Sequence, residues 1–297
     1  MSLLFPENFP DISTQSELNN LLSKNSAYDP YYVVSGSIPD RRELFESLYK
    51  IYKDHADTHF LQNIKHQFHE RTWEMYVGCS LLSKGIDFVS NDEGPDFLIE
   101  NHDKKIWIEC VTCKEGNGND KVPPFLYGSF QSVPENEMCM RIANAIQKKY
   151  SDYSKKFLNK IVSPEDIYII AVNSGALPFP DGAIPLILRC LFAVGHMTIT
   201  FPRDGSESVH YWSQIRSLKK KNGSEVPMDF FLNKEHVGIS GALYCGNNVL
   251  NHAYPIGSDI LGINNPIANQ PFPLNIKTAF KGYYPNASDK EWSLTPQ

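Results

Sequence analysis

The stretch Gly94–Cys113, GPDFLIENHDKKIWIECVTC, decides how the chain folds. Two runs rich in β-branched and aromatic residues, DFLIE and KIWIECVT, flank the polar tetrapeptide NHDK, which predicts two antiparallel strands joined by a tight turn. The turn then sets the register and puts Asp96 level with Glu109, or one residue beyond it. Two carboxylates would meet at one edge of the sheet. Asp96 follows Pro95, an ordinary place for a turn residue. Glu109 is less ordinary, because it interrupts an apolar run in which a buried carboxylate is costly unless something pairs with it.

Upstream, apolar residues recur at helical spacing (Leu44, Leu48, Ile51; Ile64, Phe68; Trp73, Val77, Leu81) and predict two or three helices ending at Gly85, a C-cap glycine. Glu70 and Glu74 lie four apart on the last of them, on one face. Residues 1 to about 40, rich in Pro, Ser, Asn and Asp, predict an irregular arm with a short helix at SELNNLLSK. Downstream, EGNGNDKVPPF predicts a loop. Met138, Ile142, Ile146 and Tyr150 predict a helix, and DIYIIAVNSG a central strand covered on both faces. CLFAVGHMTITF and HVGISGALYC read as further strands, and NNPIANQPFPLNI as an extended surface tail. This order predicts an α/β fold, a mixed central β-sheet flanked by helices. Its expected parts are an arm and helical extension over 1–60, a core over 61–250 and an irregular tail over 251–297.

Of 297 residues 41% are hydrophobic and 21% charged, a globular balance. The first residues lack a basic n-region and no stretch approaches about 18 apolar residues, so a cytoplasmic protein without a membrane span is expected. Five of the six cysteines sit in apolar runs and read as reduced buried thiols. Cys110 and Cys113, three apart on a strand, point to opposite faces and are poorly placed to share a metal. As a nucleophile either would need a lowered pKa and a basic neighbour. His55, His59, His66 and His69 fall near helical spacing but lack a zincin glutamate. A formal charge of −6 argues against a generally sticky nucleic-acid binder. It leaves room for a local basic groove, from Lys148, Lys149, Lys155, Lys156 and Lys160 or from Arg216, Lys219, Lys220 and Lys221.

Hard divalent cations such as Mg²⁺ take oxygen ligands, commonly one or two carboxylates plus phosphate oxygens and water. WEMYVGCSLLSKGIDF, GPDFLI and IWIECVT together resemble the core of the PD-(D/E)XK nuclease superfamily, the restriction endonuclease-like fold, over roughly residues 68 to 175. The resemblance implies a nuclease that hydrolyses phosphodiester bonds in DNA with Mg²⁺ or Mn²⁺. It implies Asp96 and Glu109 as metal ligands and Glu74, or Glu70, as the helix glutamate completing the shell. Val111 occupies the slot of the motif lysine. Some members supply that amine from the following helix, which makes Lys148 the first candidate and Lys114 the second. The alternative is a catalytically inactive module of the same fold that binds nucleic acid or a protein partner.

Overall fold

A computed structural model describes residues 3–101, 104–182, 184–287 and 292–296. Five helices come first: α1 (Gln15–Lys24), α2 (Pro30–Ser37), α3 (Pro39–Tyr52), α4 (Phe60–Asn63) and α5 (Phe68–Ser83). The arm holds the helix expected at SELNNLLSK, α1, and a second, unexpected one, α2. α1 begins in a capping box between Thr14 and Glu17. α2 begins at Pro30, whose missing N–H costs nothing in a first turn, with Asp29 accepting the Tyr31 N–H at 2.8 Å. α5 ends as expected: Gly85 takes φ +73°, its N–H donates to the Leu82 carbonyl, and the Ile86 N–H reaches back to Leu81.

The sheet elements follow as β1 (Val89–Ser90), β2 (Phe97–Asn101), β3 (Lys104–Thr112), then α6 (Glu135–Asp152), β4 (Ile167–Asn173), α7 (Leu186–Phe192), β5 (Val194–Thr200), β6 (Val209–Gln214), β7 (Ser217–Lys219), β8 (Glu225–Pro227), β9 (Gly241–Cys245), β10 (Leu261–Asn264), α8 (Leu274–Ala279), β11 (Lys281–Ala287) and β12 (Trp292–Pro296). Eight strands form the main sheet in the order β1-β2-β3-β4-β9-β10-β11-β12. It is mixed: β3/β4, β4/β9 and β10/β11 run parallel, the other neighbours antiparallel. The fold is thus α/β with a mixed sheet flanked by helices. Two residues of the expected NHDK turn, 102 and 103, lie outside the described residues, but Asn101 pairs with Lys104 as the turn requires.

Two expectations fail. CLFAVGHMTITF is not one strand: its first residues complete α7, Ala193 turns the chain at φ 54°, and the rest forms β5, which pairs with β6 outside the main sheet. A wholly apolar run fits a buried helix as well as a buried strand, and packing decides. Nor is 251–297 irregular, since it contributes β10, α8, β11 and β12. Its Pro and Asn residues lie in the connections and also within the elements themselves, Pro285 of β11 pairing with Leu294 of β12.

The sheet divides the core in two. On one face Trp73 and Val77 of α5 pack with Phe97, Ile99, Ile108 and Ala171, and the Trp73 indole N–H donates to the Ala171 carbonyl at 3.0 Å. On the other, Met138, Ile142 and Ile146 of α6 pack with Trp107, Tyr168, Ile170 and Val172. β4 is buried at every position, as its nearly all-apolar sequence requires of a strand covered on both sides. α5 and α6 therefore grip β3 from opposite faces, and both reach its C-terminal end.

Candidate functional site

The register Phe97↔Ile108 puts Asp96, one residue before β2, opposite Glu109. Asp96 Oδ2 accepts the Cys110 N–H at 2.6 Å, which locks its carboxylate against the neighbouring strand. Glu109 lies two residues from Trp107 and from Val111, shares their face and so belongs to the α6 side, where Lys149 donates to its Oε1. Its other oxygen, Oε2, is buried with no hydrogen-bond partner among the described residues. From the opposite face α5 brings Glu74, 5% exposed. Its Oε1 accepts from the Tyr52 hydroxyl and its Oε2 from Arg71 Nη1, both at 2.8 Å, and the same Arg71 nitrogen bonds Asp57 at 2.7 Å.

Asp96, Glu74, Arg71 and Lys149 line a cleft of about 520 Å³, with Glu109 behind Lys149. Glu70, Glu74 and Asp96 face five cations there, Arg71, Lys114, Arg141, Lys148 and Lys149, so a protein of net negative charge carries a locally basic groove. A depression of about 500 Å³ elsewhere, beside Lys84, Asp87 and Glu100, is lined by exposed charges.

Burial works against ionisation of Glu74, Glu109 and Asp96. It pushes Glu74 up to about 8, with repulsion from Asp96 next and Arg71 opposing. It pushes Glu109 up to about 7, again with Asp96 adding and Lys149 opposing. Asp96 is raised too, chiefly by burial, against the pull of Lys149 and the Cys110 amide. Burial alone would lower Lys149, but Glu109 and Asp96 outweigh it and hold the ammonium above its ordinary value. Asp96 thus couples to both glutamates, one on each side of the sheet. Three buried acids that Arg71 and Lys149 only partly offset are costly to ionise together, and such clusters concentrate at functional sites.

Asp96 and Glu109 stand level across the strand pair, as expected, and Glu74 approaches Asp96 from the other face. Glu70 lies at the rim, 31% exposed, paired with Lys114 at 2.5 Å, so both second-choice residues share the entrance rather than the buried cluster. Lys148 lines the cleft, and the amine that reaches Glu109 belongs to its neighbour Lys149. The signal was available, since Lys149 is i+3 from Ile146 and i+7 from Ile142, on the stripe α6 turns toward the sheet, whereas Lys148 is rotated off it. Arg71 was missed because only tertiary structure joins it to Asp57 and Glu74. Val111 lines the cleft.

Cys110 and Cys113 are buried on opposite faces, and burial above all pushes both thiols up, the reverse of what a thiolate nucleophile requires. Among the described residues no helix is long and apolar enough to cross a membrane. No protein-family model matches the chain, and no curated protein or solved structure matches it.

Proposed function

We propose that this protein is a divalent-metal-dependent nuclease that hydrolyses phosphodiester bonds, with DNA as its substrate. The observation that carries this reading is the meeting of Asp96 and Glu74 on a basic cleft, with Glu109 level with Asp96 across the strand pair, Lys149 bonded to one of its oxygens and the other without a partner among the described residues. The elements α5, β2, β3, α6 and β4 follow one another as the PD-(D/E)XK resemblance implies, with the amine displaced onto α6.

The chemistry of the donors is that of Mg²⁺ or Mn²⁺ ligands, because carboxylates supply hard oxygens and their mutual repulsion opposes ionisation without a counter-charge. Asp96, Glu109 and Glu74 would hold the ion. When bound, it supplies charge neutralisation on the phosphate and an acidified water. The Cys110 amide fixes Asp96 so that its carboxylate does not reorient during the reaction. Lys149 holds Glu109 and places a positive charge where a phosphate would develop negative charge. Arg71, shared by Glu74 and Asp57, keeps the α5 carboxylate in position. Lys148, Lys114 and Arg141 attract the nucleic-acid backbone into the cleft. The six free thiols fit a reducing, cytoplasmic setting.

A second reading, an inactive module of this fold that binds nucleic acid, is favoured by one observation: Lys149 occupies the Glu109 oxygen that a metal would share, and Val111 offers no amine. The deciding experiment is cleavage of mixed DNA and RNA substrates with Mg²⁺, Mn²⁺ or EDTA, comparing the parent with Asp96→Ala and Glu109→Ala. Metal-dependent cleavage lost in both variants supports the nuclease. Cleavage surviving both removes the site. Metal-independent binding without cleavage supports the module.

A further inference from the structure

Beyond the cleft, three unlike donors converge where β9 ends. Cys245 Sγ, His252 Nδ1 and Asp259 Oδ2 lie 3.0 Å (nitrogen to oxygen), 3.3 Å (sulfur to oxygen) and 3.8 Å (sulfur to nitrogen) apart. Tetrahedral zinc with ordinary Zn–S, Zn–N and Zn–O bonds separates its ligand atoms by roughly 3.3–3.6 Å, so the triangle is close to one already sized for such an ion.

A Cys-His-Asp relay does not describe it. A relay needs the thiol on one ring nitrogen and the carboxylate on the other. Here both face Nδ1, while Nε2 is buried with no partner among the described residues. Hydrogen bonding alone also leaves the cluster crowded. The single oxygen Asp259 Oδ2 is approached by four donors: His252 Nδ1, Cys245 Sγ, Asn247 Nδ2 at 2.9 Å and the Ala253 N–H at 3.4 Å. One carboxylate oxygen offers about two lone-pair positions. A cation between sulfur, nitrogen and oxygen removes two of those competitors by turning thiol and imidazole into ligands.

The surroundings hold the donors in place. The Tyr76 ring stacks on His252 at 3.6 Å and 9°, and its hydroxyl donates to the other Asp259 oxygen at 2.5 Å. That is the outer support ligating residues usually have. Cys245 is set by the central sheet. The other two donors come from the long connection 246–260, a length of irregular chain that compact domains rarely leave unanchored.

We infer that Cys245, His252 and Asp259 bind a transition-metal ion of the zinc class, pinning the 246–260 connection beneath α5. Thiolate and imidazole select such an ion over Mg²⁺, so this site is chemically distinct from the carboxylate cluster and independent of the nuclease reading. On binding, the Cys245 S–H bond breaks, its proton goes to solvent and the sulfur pair goes to the metal. The imidazole remains neutral with its proton on Nε2. Exposed Asn247, at the Asp259 oxygen, marks the side on which water completes the fourth position.

The test uses the full chain, stripped with EDTA, equilibrated with Zn²⁺ and desalted. One retained equivalent is expected, with Tm raised by about 5 °C or more. Co²⁺ in its place should give a thiolate-to-cobalt charge-transfer band. Cys245→Ser should abolish that band and weaken zinc binding at least about tenfold while circular dichroism stays unchanged. Should that variant fail to fold, alkylation of the parent protein under partial unfolding decides instead, with Zn²⁺ expected to protect Cys245. No retained zinc, cobalt bound without a thiolate band, or Cys245 labelled equally with and without zinc would each overturn the inference.

Discussion

Lys149 on α6 donates to Oε1 of Glu109 on β3, and the second oxygen of that carboxylate is buried without a partner among the described residues. The pair joins a helix on one face of the sheet to the end of a strand within it. It separates two adjacent lysines by role, because only one of them is turned toward the acids.

Lys149→Met is expected to lower metal-dependent cleavage by about 100-fold or more, and Lys148→Met by less than about tenfold. Single-turnover rates at saturating enzyme measure this. Equal losses in the two variants would show that neither amine is special.

Lys148→Met should act on binding instead. A lysine that meets a phosphate at the cleft wall releases about one counterion, so the slope of log K against log salt should flatten by about 1. Fluorescence anisotropy with a labelled oligonucleotide at several salt concentrations checks it, and an unchanged slope would place the backbone elsewhere.

Stability should fall as pH rises. Glu74 and Glu109 titrate near 8 and 7 in the folded chain against an ordinary value of 4.5, so between about pH 5 and 8 the folded state binds more protons than the unfolded one. With more protons in the native state, the unfolding free energy decreases over that window. Millimolar Mg²⁺ should oppose the decrease, raising Tm more at pH 8 than at pH 5.5, where protonated acids cannot ligate. Differential scanning fluorimetry at the two pH values, with and without the ion, reads both effects. An Mg²⁺ shift equal at both would mean that the ion binds other groups.

Gly78→Ala should disturb the site from a distance. A Cβ at Gly78 would stand 2.6 Å from Cε2 of Tyr52 and 2.9 Å from Cζ of Phe88. Tyr52 is the residue whose hydroxyl holds Glu74. A loss of about 1–3 kcal/mol in urea unfolding is expected, together with weaker Mg²⁺ stabilisation. A stable variant with unaltered metal response would show that Tyr52 can yield without moving Glu74.

Local sequence alone determined the strand pair around Asp96 and Glu109, the helix ending at Gly85 and the buried strand β4. Period, turn chemistry and the conformational freedom of glycine are properties of neighbours in the chain, and they are legible there. Tertiary structure decided what neighbours could not. It chose helix for Leu186–Phe192, where both periods fit. It drew β10, α8, β11 and β12 out of a Pro- and Asn-rich tail, because an unfinished sheet edge offers hydrogen bonds to any strand that reaches it. It also brought Arg71 to Asp57, Lys149 to Glu109 and Cys245 to His252 and Asp259. Charge and metal affinity depend on distances through space, and separation along a chain carries little information about those until the fold has closed it.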